Sequence, residues 1–239
     1  MAKSALYYLI PVLFLIASRV LFSGFVQSAW EYPAVIQKNP SDKQLLLNGR
    51  IWRNQYSKAT GDQFFLTNTF LKGSVTLNGR RFNNLELQYD ITNDELILRT
   101  ESYPVIIMNK EMVDSFNLTF DRRNYYIINA GNDTSAVLKG YINVLYKGPT
   151  ALYVKYTKKI QPLAVDGRYD LFYQVHSVYL KKGTEIVPVA GKRKFLSLLE
   201  DKKKEIRYFL RINRLSMKLN QKDPATFVPV LRYYDSIRN

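Results

Sequence analysis

The chain is predicted to be an α+β protein: a large, mostly antiparallel β-sheet, a meander or half-open barrel, followed by a small C-terminal helical part. Three observations predict it. Between Gly73 and Phe120 apolar and polar residues alternate, and turn signals interrupt them at short intervals; a period of two marks strands with one dry face and one wet. From Lys192 onward the apolar residues Phe195, Leu198, Leu199, Ile206, Phe209 and Leu210 recur at helical spacing. Strands come first and helices last, which an alternating parallel sheet would not show.

The elements follow in chain order. Met1 to about Ala29 reads as an export signal: Lys3, an apolar run from Ala5 to Ala17, and small residues before a cleavage point after Ser28 or Ala29. Arg19 and Pro11 argue against a retained membrane anchor, because a central arginine costs roughly 2.5–3.5 kcal/mol on insertion scales. Trp30 to Lys43 is an extended lead-in interrupted by Pro33 and Pro40. Lys43 to Trp52 is strand-like, with a hairpin about Asn48-Gly49, and Gln63 to Leu71 is a further strand. Asn78-Gly79 offers two positive φ values, as a type I′ hairpin turn requires. Leu85, Leu87 and Tyr89 form the next strand, and Thr92-Asn93-Asp94 turns it into Leu96 and Leu98. Pro104 to Met108 is an apolar run of the kind buried on both faces. Val113 to Phe120 and Asn124 to Asn129 pair through Asp121-Arg122-Arg123. Val137 to Tyr146, Leu152 to Ile160, Tyr169 to Leu180 and Ile186 to Val189 complete the strands, with turns at Lys147-Gly148-Pro149, Asp166-Gly167 and Lys182-Gly183. Asp201 marks a break between two helices or a solvated position in one. Asp223-Pro224 opens the last helix, with aspartate as cap and proline in the first turn. Phe227, Val230, Leu231 and Tyr234 then share a face. The expected division is a signal peptide over 1–29, a β-rich domain over 30–190 and a helical segment packed on it over 191–239.

Composition bounds the function. The 239 residues carry 35 Lys and Arg against 20 Asp and Glu, one histidine and no cysteine. Loss of the signal removes Lys3 and Arg19 and lowers the formal charge from +15 to +13. No disulfide can form, so the core must hold the fold unaided, which a chain of this size can do. After signal cleavage no second apolar span of ~20 residues remains, so no transmembrane helix is expected in the mature chain.

Catalytic constellations fit poorly. His176 is the lone histidine, in a strand with Phe172, Gln174 and Val178 on its face, and no strained G-x-S-x-G turn is present. Zinc sites draw on several histidines and cysteines. Carboxylate pairs for glycoside hydrolysis are Asp90 with Asp94 or Glu95, and Asp166 with Asp170, but each lies at a turn, where aspartate commonly bonds its own backbone. Asn129, Asn132 and Asp133 lack the charge of a calcium loop. No cofactor and no metal is implied.

What remains is a basic, aromatic surface. Tyr153, Lys155, Tyr156, Lys158, Lys159 and Arg168 interleave rings with cations, and Tyr153, Lys155, Thr157 and Lys159 share one strand face. Further clusters stand at Lys181-Lys182, Lys192-Arg193-Lys194 and Lys202-Lys203-Lys204. Such a surface suits lipopolysaccharide phosphates, an acidic glycan or a partner's acidic patch. Nucleic acid is disfavoured for an exported chain.

The segments Asn48-Gly49-Arg50-Ile51-Trp52, Phe70-Leu71-Lys72-Gly73, Leu87-Gln88-Tyr89-Asp90-Ile91, Asn93-Asp94-Glu95-Leu96, Lys139-Gly140-Tyr141 and Tyr233-Tyr234-Asp235 resemble a family of exported Bacteroidetes proteins without an assigned role. The resemblance covers most of the mature chain and implies a Gram-negative envelope location, periplasmic or outer-membrane-associated. It transfers no functional residue. The expected function is therefore that of a non-enzymatic exported protein, acting by binding or as a subunit of an envelope assembly. A periplasmic carrier of a lipid or other apolar ligand, with Val105 to Met108 and Tyr125 to Ile128 lining its cavity, is the alternative. A carboxylate-based glycan hydrolase is the third.

Overall fold

The structure, a computed structural model, describes residues 40–100, 103–131, 137–162 and 170–238. The expected signal peptide, most of the lead-in, Asn132, Asp133, and 166–169 with Asp166 and Arg168 lie outside the described residues. Among those described, eleven strands form one sheet: β1 (Gly49–Ile51), β2 (Leu71–Leu77), β3 (Arg80–Asp90), β4 (Glu95–Thr100), β5 (Tyr103–Met108), β6 (Val113–Phe120), β7 (Arg123–Asn129), β8 (Tyr141–Lys147), β9 (Thr150–Gln161), β10 (Leu171–Lys182) and β11 (Glu185–Pro188). Their order is β1-β5-β4-β3-β2-β6-β7-β8-β9-β10-β11, and every neighbouring pair is antiparallel. Helices α1 (Pro40–Leu46), α2 (Lys192–Ser197), α3 (Lys203–Ile212) and α4 (Val228–Ser236) flank it. No helix among the described residues is long and apolar enough to cross a membrane.

The tight turns follow their sequence signals. Asn78 and Gly79 have φ of 47° and 77°, and Asp121 and Arg122 have φ of 48° and 59°, the two positive values of a I′ turn. Ile106 and Met108 enter one core while Ile107 enters another, so β5 is buried on both faces. Two expected strands differ. Lys43 to Leu46 is helical: Pro40 stands at the first position, Asp42 in the first turn, and Leu45 and Leu46 pack on the core. Residues 63–70 form no strand and cover the sheet through a single isolated pairing, Phe64 with Asp90. Asp223 gives no side-chain cap; Pro224 starts a 3-10 turn that runs into α4.

The sheet is open but strongly curled. β5 and β6 lie four spacings apart, ~19 Å if flat, and run parallel, yet only Asn109 to Met112 joins them. Four residues cannot cross a flat sheet from one end to the other. Curling brings the ends together. Asn129 Nδ2 fastens the link by donating to the carbonyls of Lys110 and Val113 at 2.8 and 2.9 Å. A bulge between Gly73 and Val75, opposite Asn84 at φ 57°, supplies part of the bend. Curling also carries the β3–β4 turn against β9, where Lys158 N–H donates to the Ile91 carbonyl at 3.3 Å.

Two cores result. The first runs from Leu46 through Val75, Leu87, Leu98 and Phe116 to Tyr141. The second packs Leu152, Val154, Val178 and Leu180 against Phe195, Leu210, Phe227 and Tyr234 of the helical part. A Cβ on Gly73 would overlap the Asn117 carbonyl across the β2–β6 ladder. Gly73→Ala is expected to cost about 1–3 kcal/mol through strand displacement, read as a lower denaturation midpoint.

Candidate functional site

The cations divide into those used internally and those left at the surface. The internal set surrounds Asp94, which closes the β3–β4 turn at φ 59°. Its Oδ1 accepts from the Tyr89 hydroxyl at 2.6 Å and Lys155 Nζ at 2.7 Å, and its Oδ2 from Lys110 Nζ at 2.6 Å and Tyr141 N–H at 3.3 Å. Gly140 lies against Oδ2, where a Cβ would overlap it. Burial opposes charge on Asp94, yet Lys155 and the bonds from Lys110, Lys155 and Tyr89 hold its carboxyl below the usual range. On Lys155 burial outweighs the attraction of Asp94 and its hydrogen bond, with a smaller repulsion from Lys110, and its ammonium is held below the usual lysine range. One acid thus serves two bases.

Asp90 is also occupied. It is 1% exposed and accepts from Thr92 N–H, Asn93 N–H and Asn93 Nδ2 at 2.8–2.9 Å, an aspartate bonding its own turn. Burial raises its carboxyl above the usual range. Glu95 pairs with Arg50. A cavity of about 400 Å³ adjoins this turn, with Asn48, Arg50, Asp94, Glu95 and Lys110 in its wall. His176 Nε2 donates to the Gln221 carbonyl at 2.8 Å and ties β10 to the segment before α4. Among the described residues no three histidine or acidic side chains gather to hold a metal ion.

The β9 residues singled out from sequence are spread between these roles. Lys155 is bound to Asp94. Lys158 pairs with Asp62 at 2.7 Å. The Tyr156 ring packs on Phe65 at 4.6 Å and near His176, its hydroxyl pushed up to about 12 by burial. Tyr153 is half-buried, and Lys159 is exposed opposite Tyr173.

The surface set lies on the helical part. Residues 192–222 hold eleven Lys and Arg against three Asp and Glu. Ile206 and Leu210 of α3 are buried. Its opposite face, Lys204, Arg207, Tyr208, Arg211 and Ile212, is exposed, as helical periodicity requires. Arg211 lies over the Tyr208 ring at 5.7 Å. α3 ends with Leu215 N–H bonded to the Leu210 carbonyl and Arg214 N–H to the Arg211 carbonyl, a Schellman motif. Arg214 occupies its left-handed position at φ 51°, where glycine is usual. The following loop leaves Met217 94% exposed, and Lys192 fastens it to α2 by donating to the Ser216 carbonyl. Lys204, Arg211, Arg214 and Lys218 form no ion pair with any described residue.

This platform is anchored from beneath. Lys182 donates to the Leu198 carbonyl and to Asp201, and Asp201 also accepts from the Tyr234 hydroxyl at 2.8–2.9 Å. Phe195 stacks on Phe227 and Phe209 on Tyr233. Sequence reasoning found the lysine clusters at 192–194 and 202–204 but missed Arg207, Tyr208, Arg211, Ile212, Arg214 and Met217. The signal for the α3 residues is the wet side of the 3.6-residue period. No protein-family model, no curated protein and no solved structure matches this chain.

Proposed function

We propose that this is a non-enzymatic exported protein of the cell envelope, acting by binding or as a subunit of an envelope assembly, and that the helical face of 192–222 meets its anionic partner. The observation that carries the proposal is the concentration of unpaired cations on α3 and its C-terminal loop, with Tyr208, Ile212 and Met217 exposed among them. Excess surface charge attracts an oppositely charged polymer or protein face and makes association salt-dependent. Export is supported by the apolar segment from Ala5 to Val26 and by the resemblance described above.

The test is charge reversal at Arg207, Arg211 and Arg214 together, with cell fractionation over a range of salt. The expected result is release from the envelope fraction at a much lower salt concentration than the unaltered chain needs. An unchanged distribution and salt dependence would remove the helical face from the proposal.

A further inference from the structure

Resting on that proposal, we infer that the anionic partner is a lipid bilayer, and that α3 and the loop to Met217 dock on its surface. Two features point to lipid. First, the face is mixed. Ile212 and Met217, 59% and 94% exposed, protrude between Arg211, Arg214 and Lys218. Cations in register with exposed apolar tips are what a headgroup layer accepts, with the tips reaching the acyl boundary. A water-soluble acidic polymer gives Ile212 and Met217 nothing to enter. Second, Tyr208 stands at the centre of the face, 55% exposed, with a guanidinium over its ring, an amphipathic side chain of the kind favoured at the membrane–water interface.

The N-terminal apolar segment would bind any vesicle, so the experiment reads the helical face itself. The chain has no cysteine, which permits single-site labelling. Met217→Cys, and separately Asp121→Cys in the β6–β7 turn as control, are labelled with a polarity-sensitive fluorophore in the full chain. They are mixed with phosphatidylcholine vesicles with and without phosphatidylglycerol. A blue shift at 217 with the anionic vesicles only, and none at 121, is the expected result. Arg207→Gln, Arg211→Gln and Arg214→Gln together should then raise the lipid concentration for half-maximal shift on the order of 100-fold. The circular dichroism of each variant is compared with that of the unaltered chain to show that it is folded. No shift at 217, or an equal shift on neutral vesicles, overturns the lipid inference. If envelope association still responds to charge reversal in that case, the broader proposal stands with a polymer or protein as partner.

Discussion

Asp94→Ala lowers stability by about 3–5 kcal/mol, the usual cost of removing one partner from a buried ion pair. Lys155 and Lys110 both lose their carboxylate, and Lys155 keeps little access to water, with a side chain 22% exposed. The Tyr89 hydroxyl loses its acceptor at 2.6 Å as well. Chemical denaturation gives the number directly. A second substitution separates charge from packing: Lys155→Met on the Asp94→Ala background recovers part of the loss, because no uncompensated ammonium is then left at that position. The pH dependence has a definite sign. The carboxyl of Asp94 is held below its ordinary value, so its contribution is present above the unfolded pKa of roughly 3.9. It is lost as pH falls through the lower folded value. The stability gap between the unaltered chain and Asp94→Ala should therefore narrow below about pH 4. A gap constant from neutral pH to pH 3 would show that Asp94 is not held by its lysines.

Asp235→Ala is the second large effect, at about 3 kcal/mol. Asp235 sits in α4 and is 5% exposed. Its Oδ2 accepts from Thr150 N–H, Thr150 Oγ1 and the Tyr146 hydroxyl at 2.9–3.0 Å. Alanine leaves three donors without an acceptor, and hydrogen bonds to a charged group are worth roughly 1.5–3 kcal/mol each before relaxation. Burial and Asp235 together push the Tyr146 hydroxyl up to about 12. Oδ1 has no partner among the described residues, which gives the experiment its contrast. Asparagine can turn its oxygen to the three donors, while its amide is left buried without an acceptor, which costs part of what the oxygen restores. Asp235→Asn should therefore lose less stability than Asp235→Ala. Equal losses for the two variants would mean that α4 is not held by this acceptor.

Much of the fold was legible because local chemistry and tertiary structure agree. Asn78-Gly79 turns where a positive φ is cheap, and Val113 to Phe120 is a strand along its whole alternating length. The C-terminal helices announce themselves through Phe227, Val230, Leu231 and Tyr234, all fully buried. The failures have physical causes too. Lys43 to Leu46 is too short a stretch for a period to be read, and α1 is decided by Leu45 and Leu46 finding the first core. Residues 63–70 look strand-like because Phe64 and Phe65 are buried, but they are buried as a cover over the sheet. The candidate site was harder to see. Lys155 and Lys158 look like surface cations in a one-dimensional pattern. Only the curl of the sheet brings Asp94 and Asp62 to them, from 61 and 96 residues away. The free cations are those that folding leaves without an acid, and no local window of sequence reports that.

The two large cores divide the chain cleanly in order of synthesis. Every buried member of the first lies between Leu46 and Tyr141, and every buried member of the second between Leu152 and Tyr234. A polypeptide delivered N-terminus first can therefore consolidate its leading half while its trailing half is still threading through a translocon or ribosome. The hairpin of β8 and β9 is the junction at which the later half is added, using an edge already made by the earlier one.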